Sequence, residues 1–239
     1  MKTLSIVIPF FNEEERIAKT LSALQKGFNF SGLKLKEVIF VNDGSNDKTI
    51  SNIKLQTKKL EKKLKAKIKI ISYKQNKGKG FAVRTGLLAS KSDYGLFFDV
   101  DMSTPLDEFT KFLPYINKKY HVICGTRKNG KSTVVRHQAL YREVLGKGFT
   151  KLSNTILGTD FKDFTCGFKA YSQHTIQTLV SNSKINGWGF DSELLFLAHK
   201  KQLSIAQVPV LWSNDERSKV RLWKDLPKSF YELLKIRIN

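Results

Sequence analysis

The sequence has little of what metal, redox and covalent-catalysis sites are commonly built from. Its 239 residues hold only 2 Cys and 4 His. Cys124 and Cys166 lie far apart and form no CxxC. Free thiols in a reducing compartment are expected, not a disulfide framework. The histidines are scattered, with no HExxH or other zinc-type spacing. No GxSxG elbow and no Cys/His pairing occurs, so covalent hydrolase chemistry is disfavoured. The stretch "NKGKG", residues 76–80, matches neither GxxxxGK[ST] nor GxGxxG, so it is not read as a P-loop or a dinucleotide fingerprint. No apolar run reaches transmembrane length. The opening "MKTLSIVIPFFNEEE" turns acidic too soon for a signal peptide. Acid itself is scarce: 21 Asp and Glu stand against 42 Lys and Arg, a net charge of +21. A surface this basic is expected to meet nucleic acid, anionic lipid or a phosphorylated substrate.

What is present argues for a folded α/β chain. Hydrophobic residues make up 41%, with 17 Phe, far too apolar for disorder. The length suits one large domain or two small ones. "LSIVIPFF", "EVIFVNDGS", "IKIISY", "YGLFFDV" and "HVICGTR" read as buried strands. Helical spacing lies between them, in "NEEERIAKTLSALQKG", with Asn12 as predicted N-cap and Gly27 as stop, "NDKTISNIKLQTKKLEKKLKAK", "FAVRTGLLAS" and "LDEFTKFLPYI". The alternation predicts a mostly parallel sheet with right-handed crossovers, flanked by helices. Beyond about residue 127 the pattern changes. A helical segment is expected over residues 134–158, a strand in "SIAQVPVLW", and a final amphipathic helix in "DLPKSFYELLKIRI".

Ligands of open parallel sheets bind beyond the carboxyl ends of the strands. Three such ends are unusual here. The first carries Pro9, Phe11, Asn12 and Glu13, the second Asn42, Asp43 and Gly44, the fourth Asp99 and Asp101. On extended chain, residues i and i+2 face the same way. Asp99 and Asp101 are therefore expected to share a ligand while Val100 turns inward. Paired carboxylates suit a hard cation such as Mg²⁺, completed by phosphate oxygens and water. "NKGKG", residues 76–80, is either a phosphate cradle or an ordinary strand-to-helix turn.

Eight stretches in order, from residue 4 to about 220, resemble the family 2 glycosyltransferases of GT-A (Rossmann-like) fold. The likeness is to the dolichyl- or polyprenyl-phosphate enzymes. The stretches are "SIVIPFFNEEERI", "VIFVNDGSNDKT", "NKGKGFAVRTGLLAS", "DVDMSTP", "CGTR", "DFTCGFKAY", "GWGFDSELL" and "VPVLW...SKV". The resemblance implies nucleotide-sugar binding by Pro9, Phe11, Glu13, Asn42, Asp43 and Lys79, together with Asp99, Val100 and Asp101. It implies Mg²⁺ or Mn²⁺ at Asp99 and Asp101, and places Arg127, Arg136, Arg217 and Lys219 near donor or acceptor phosphates. Asp163 matches an acid at the reaction centre, as base or as orienting group. Phe11 stands where Tyr is common, Asn42 where Asp is frequent, and Thr165 where Gln is common.

The implied reaction is inverting hexose transfer from a nucleotide sugar to dolichyl or polyprenyl phosphate. UDP-glucose is the favoured donor, with GDP-mannose as the alternative. A family 2 enzyme acting on a non-lipid glycan is a further possibility. The implied organisation is one domain over 1–239: a nucleotide-sugar half (1–127), an acceptor half (128–223) and a C-terminal amphipathic helix (224–239). Basic and apolar residues interleave in 134–158 and in the last helix, as in interfacial helices. A peripheral position on the cytoplasmic face of a membrane is expected, directly or through a membrane-anchoring partner. A nucleic-acid role rests on charge alone. The densest basic run, "KKLEKKLKAKIK", carries no aromatics, so no nucleic-acid partner is expected.

Overall fold

The computed structural model describes residues 1–27, 30, 32–128, 132–215, 217 and 222–238. The first half is a regular α/β alternation: β1 (Lys2–Phe10), α1 (Glu14–Lys26), β2 (Leu33–Asn42), α2 (Thr49–Leu64), β3 (Lys67–Ser72), α3 (Lys79–Leu88) and β4 (Tyr94–Phe98). Continuous apolar runs become strands here because both faces of the sheet are covered. In β1, Leu4, Ile6, Ile8 and Phe10 point into one core, with Ile17 and Leu21 of α1. Val7 points into the other, with Val83 and Leu87 of α3. Period-2 alternation thus feeds two cores from one strand.

The second half adds a short α4 (Leu113–Asn117), β5 (Val122–Thr126), β6 (Val134–Arg136), α5 (Leu140–Leu157), β7 (Phe168–Ser172), α6 (Gln173–Thr178), α7 (Phe190–Lys200), β8 (Ile205–Pro209), β9 (Trp212–Ser213) and α8 (Leu222–Ile238). The main sheet has seven strands in the order β3-β2-β1-β4-β7-β5-β8. All its pairs are parallel except those of β7, which runs antiparallel to β4 and β5. Chain order reverses between β1 and β4, because β2 and β3 extend one way and β4 begins the other side. Such a switch point leaves a crevice beyond the strand ends.

Four local expectations are corrected. Asn12 does not cap α1; it takes φ of 52°, a conformation Asn tolerates. Its Oδ1 accepts from Asn46 N at 2.8 Å, tying the end of β1 to the loop after β2. Asp47 Oδ2 accepts from Glu14 N at 3.0 Å in its place. The strand predicted to run through Val100 ends at Phe98, and Asp99 O accepts from Met102 N at 3.1 Å in a turn. "LDEFTKFLPYI" is mostly a 3-10 helix, Leu106–Phe112, followed by α4. The segment 134–158 begins as strand β6, which pairs with β9 in a small second sheet.

Candidate active site

The turn after β4 carries the two acids. Val100 is buried at 5% exposure, as expected of the residue between them. Val100 O accepts from Thr20 Oγ1 of α1. Asp101 Oδ1 accepts from Ser103 N at 2.9 Å. Gly167, just before β7, presses on Asp99 from behind, its carbonyl accepting from Asp99 N at 3.1 Å. A Cβ at Gly167 would overlap the Asp99 carboxylate. Both acids line one cleft of about 1060 Å³, although the chain there is a turn and not an extended strand.

The acids have unequal partners. Lys79, at the start of α3, sits 2.8 Å from Asp99 Oδ1 and 3.0 Å from Oδ2. Among the described residues the ion-pair partner of Asp101 is Arg16, at 3.9 Å. Burial and the neighbouring Asp99 charge push the Asp101 carboxyl above the ordinary range, against the Ser103 bond and Arg16. The pair is therefore short of positive charge, which fits a divalent cation. Among the described residues no cluster of three or more His, Cys, Asp or Glu could hold a metal. The protein would supply two carboxylates, and phosphate oxygens and water the rest, as Mg²⁺ prefers.

Arg127, just past β5, faces the same cleft. Asp163 holds it in a bidentate pair: Nε to Oδ2 at 2.7 Å and Nη2 to Oδ1 at 2.9 Å. Arg127 N donates to Asp163 Oδ2 as well, at 3.1 Å. Nη2 also donates to Thr165 Oγ1 at 2.9 Å, and the guanidinium lies 5.3 Å from the Trp212 ring centre. Asp163 itself is 1% exposed and does not line the cleft. Burial opposes its ionisation, but Arg127 outweighs this and holds the carboxyl well below the usual range. Lys128 Nζ donates to Gly146 O at 2.9 Å and Thr150 Oγ1 at 2.8 Å, which fixes α5 at the rim.

Of the expected nucleotide residues, Lys79, Asp99 and Asp101 line this cleft, whereas Pro9, Phe11, Glu13, Asn42 and Asp43 sit at the ends of β1 and β2, outside its lining. Glu13 is buried and pairs with Arg16 through two contacts of 2.5 Å. Arg16 thereby links Glu13 to Asp101. Asn42 spends its amide internally, donating to Ser72 Oγ and accepting from Ser45 N, both at 2.9 Å. Asp43 accepts from Lys77 N at 2.8 Å, Gly78 N at 3.0 Å and Asn76 Nδ2 at 2.9 Å. It organises the "NKGKG" loop. Gly44 has φ of +77°, and a Cβ there would meet Asn76 N at 2.7 Å, so only glycine lets the two loops touch. Pro9 is in β1, paired with Val41, and Phe11 follows the strand.

Of the remaining phosphate candidates, Arg136 is exposed on β6 and Arg217 is exposed and bonded to Asp215, Nη2 to Oδ2 at 2.8 Å. Neither lines the cleft, though Asp215 does. Lys219 lies outside the described residues. Sequence reading gave no role to Trp188, Asp191 and Trp212, which line the cleft, or to Lys169 behind it. Lys169 is 0% exposed and contacts Asp191 at 2.6 Å. One signal was available: a lysine within "GFKAY" and an aspartate within "GWGFDSELL" are charges inside apolar runs, which need partners.

The fold and the sequence have known likenesses. The family described as "Glycosyl transferase family 2" matches residues 5–179. Dolichyl-phosphate beta-glucosyltransferase of Dictyostelium discoideum is 32% identical over 245 residues, covering 99% of this chain and 74% of that one. The human protein of the same name is 31% identical over 249 residues, covering 100% and 76%. Among solved structures, glucosyl-3-phosphoglycerate synthase of Mycobacterium tuberculosis, in complex with Mn²⁺, UDP-glucose and phosphoglyceric acid, superposes with a TM-score of 0.67 at 19% identity, over 99% of this chain and 80% of that one. That likeness is of the GT-A fold. With a family match across most of its length and relatives near one-third identity along all of it, the chain belongs to glycosyltransferase family 2.

Proposed function

We propose that the protein transfers glucose from UDP-glucose to dolichyl phosphate, inverting the anomeric centre. The names of the full-length relatives support the sugar and the acceptor. The observation that carries the reading is the turn after β4. Two carboxylates short of positive charge face a cleft that a fixed arginine, Arg127, also lines.

The chemistry needs little from the protein in acid–base terms. A lipid monophosphate has a second pKa near ~6 and is largely ionised at neutral pH. The task is to hold two anions in line and offset their repulsion. Asp99 and Asp101 would hold Mg²⁺ or Mn²⁺, which when bound stabilises the charge growing on the nucleoside diphosphate. Arg127 is the group for the acceptor phosphate, and Asp163 is its positioning residue, orienting the fork without itself reaching the cleft. Glu13, Asn42 and Asp43 shape the donor end. Arg217, beside Asp215, lies on the segment that borders the cleft.

The acceptor's lipid tail has a matching surface. Helices α5 and α8 pack together, and Tyr141, Val144, Leu145, Phe230, Tyr231 and Leu234 are exposed on them. Arg142, Lys147, Lys151, Lys228 and Lys235 lie among these on the same two helices. Among the described residues no helix is long and apolar enough to cross a membrane. An interfacial position at the cytoplasmic face accounts for both facts. The test is incubation with labelled UDP-glucose, dolichyl phosphate and Mn²⁺ or Mg²⁺, followed by organic extraction. Lipid-linked glucose is expected, and lost with Asp101→Ala. Product from GDP-mannose but not UDP-glucose would overturn the sugar assignment.

A further inference from the structure

Lys79 already occupies the oxygens that a donor-bound cation would need. Its Nζ contacts both oxygens of Asp99, at 2.8 and 3.0 Å, and lies 5.0 Å from the Trp188 ring centre. Behind it stands Asp191, 3% exposed and tied at 2.6 Å to the fully buried Lys169. A series of alternating charges, Asp99, Lys79, Asp191, Lys169, thus runs from the cleft into the sheet. Its inner end is fixed, because Lys169 Nζ also donates to Phe164 O at 2.9 Å and Cys166 O at 2.6 Å. Its outer end is freer, with side-chain exposures of 17% for Lys79 and 32% for Asp99. An ammonium on a four-carbon stem is a point charge that can change partner.

We propose that Lys79 is the resident counter-ion of the cation site, seated on Asp99 until a divalent cation arrives with the nucleotide diphosphate, and then turned onto that diphosphate. The proposal rests on the reading of Asp99 and Asp101 as the metal–diphosphate clamp. A cation arriving alone must displace a like charge and leave it without a partner. One arriving with the diphosphate brings an anion that accepts the displaced ammonium in the same cleft. Metal and nucleotide binding are then coupled, and the coupling is reciprocal. Asp191 and Lys169 are positioning residues, keeping Lys79 within reach of both partners.

Mn²⁺ binding followed by the electron paramagnetic resonance of the free ion tests this on the full chain without turnover. Wild type should bind Mn²⁺ weakly alone and about tenfold or more tightly with UDP, within the usual range of coupling. Lys79→Met should bind Mn²⁺ alone about tenfold more tightly than wild type and lose most of the gain from UDP. Lys79→Arg should restore the wild-type pattern. Lys79→Gln, which also removes the charge, serves the same reading if the methionine variant melts early. A neutral variant with wild-type Mn²⁺ affinity and wild-type UDP coupling overturns the counter-ion role alone. Wild type that takes up no Mn²⁺ even with UDP overturns the clamp, and this proposal with it.

Discussion

Gly167→Ala separates the geometry of the acid pair from the stability of the fold. The added Cβ would overlap Oδ2 and Cγ of Asp99 and lie 2.8 Å from Oδ1. Real Cβ atoms do not approach so closely, so the carboxylate must retreat by roughly 1 Å or more. The backbone has no reason to move instead. Gly167 is not in the left-handed region, and its carbonyl is bonded to Asp99 N in the turn that ends β4. The Asp99 side chain is 32% exposed and can swing into the cleft. Unfolding free energy should therefore stay within about 1 kcal/mol of wild type, since Ala also restricts the unfolded chain. A misplacement of about 1 Å at a reacting site costs on the order of 10²-fold in rate. The assay is glucose transfer from labelled UDP-glucose to dolichyl phosphate, run beside a urea denaturation curve. A variant of undiminished activity would refute the placement of Asp99 in the clamp. A variant that loses several kcal/mol would refute the claim that the strain is confined to one side chain.

Lys169→Met should cost about 3–5 kcal/mol, because it takes from the buried Asp191 its 2.6 Å partner; urea midpoints measure it, and adding Asp191→Asn should recover part of the loss. Asp163 has a depressed folded pKa, from Arg127 against the opposing effect of burial, relative to an ordinary value of 3.8. Its stabilising contribution is full above that ordinary value and fades as pH falls through the lower folded one. Wild type should lose stability on acidification below about pH 4, while Asp163→Asn, weaker at neutral pH, should show a flatter profile there in denaturant curves. Chelation with EDTA should abolish transfer and Mn²⁺ or Mg²⁺ should restore it; undiminished transfer in excess chelator would exclude a metal-held diphosphate. Co-sedimentation with anionic liposomes should fall as salt rises from 0.05 to 0.5 M, roughly as screening of exposed charges requires; Phe230→Asp should weaken it at every salt concentration.

Much of the architecture was legible because it depends on local pattern. Continuous apolar runs bounded by polar turns mark strands covered on both faces, and "SIVIPFF" and "VIFVN" need no partner to reveal that. Helix α1 stops at Gly27 as its sequence predicts. Direction was not legible. The run "FKAYS" has the same pattern whichever way it lies, and only its position between β4 and β5 makes β7 antiparallel. Caps also escaped. Asn12 looks like a helix cap in isolation, but Asp47, 33 positions from Glu14, takes that task once the two loops meet. The end of β4 was read two residues too far. Apolar character continues through Val100, while the backbone turns so that Thr20 can bond its carbonyl.

The sequence by itself determined the acids, their strand-end position and the family motifs that surround them. Spacing along the chain carries that information, because it sets which residues share a face or a turn. Only the tertiary structure decided how each charge is answered. Lys79 lies 20 positions from Asp99, Arg127 lies 36 from Asp163, and Lys169 lies 22 from Asp191. An ionised group leaves water only when an opposite charge is brought to it. That meeting is made where α3, α7, β7 and the end of β5 come together beside the end of β4, and no local pattern records it.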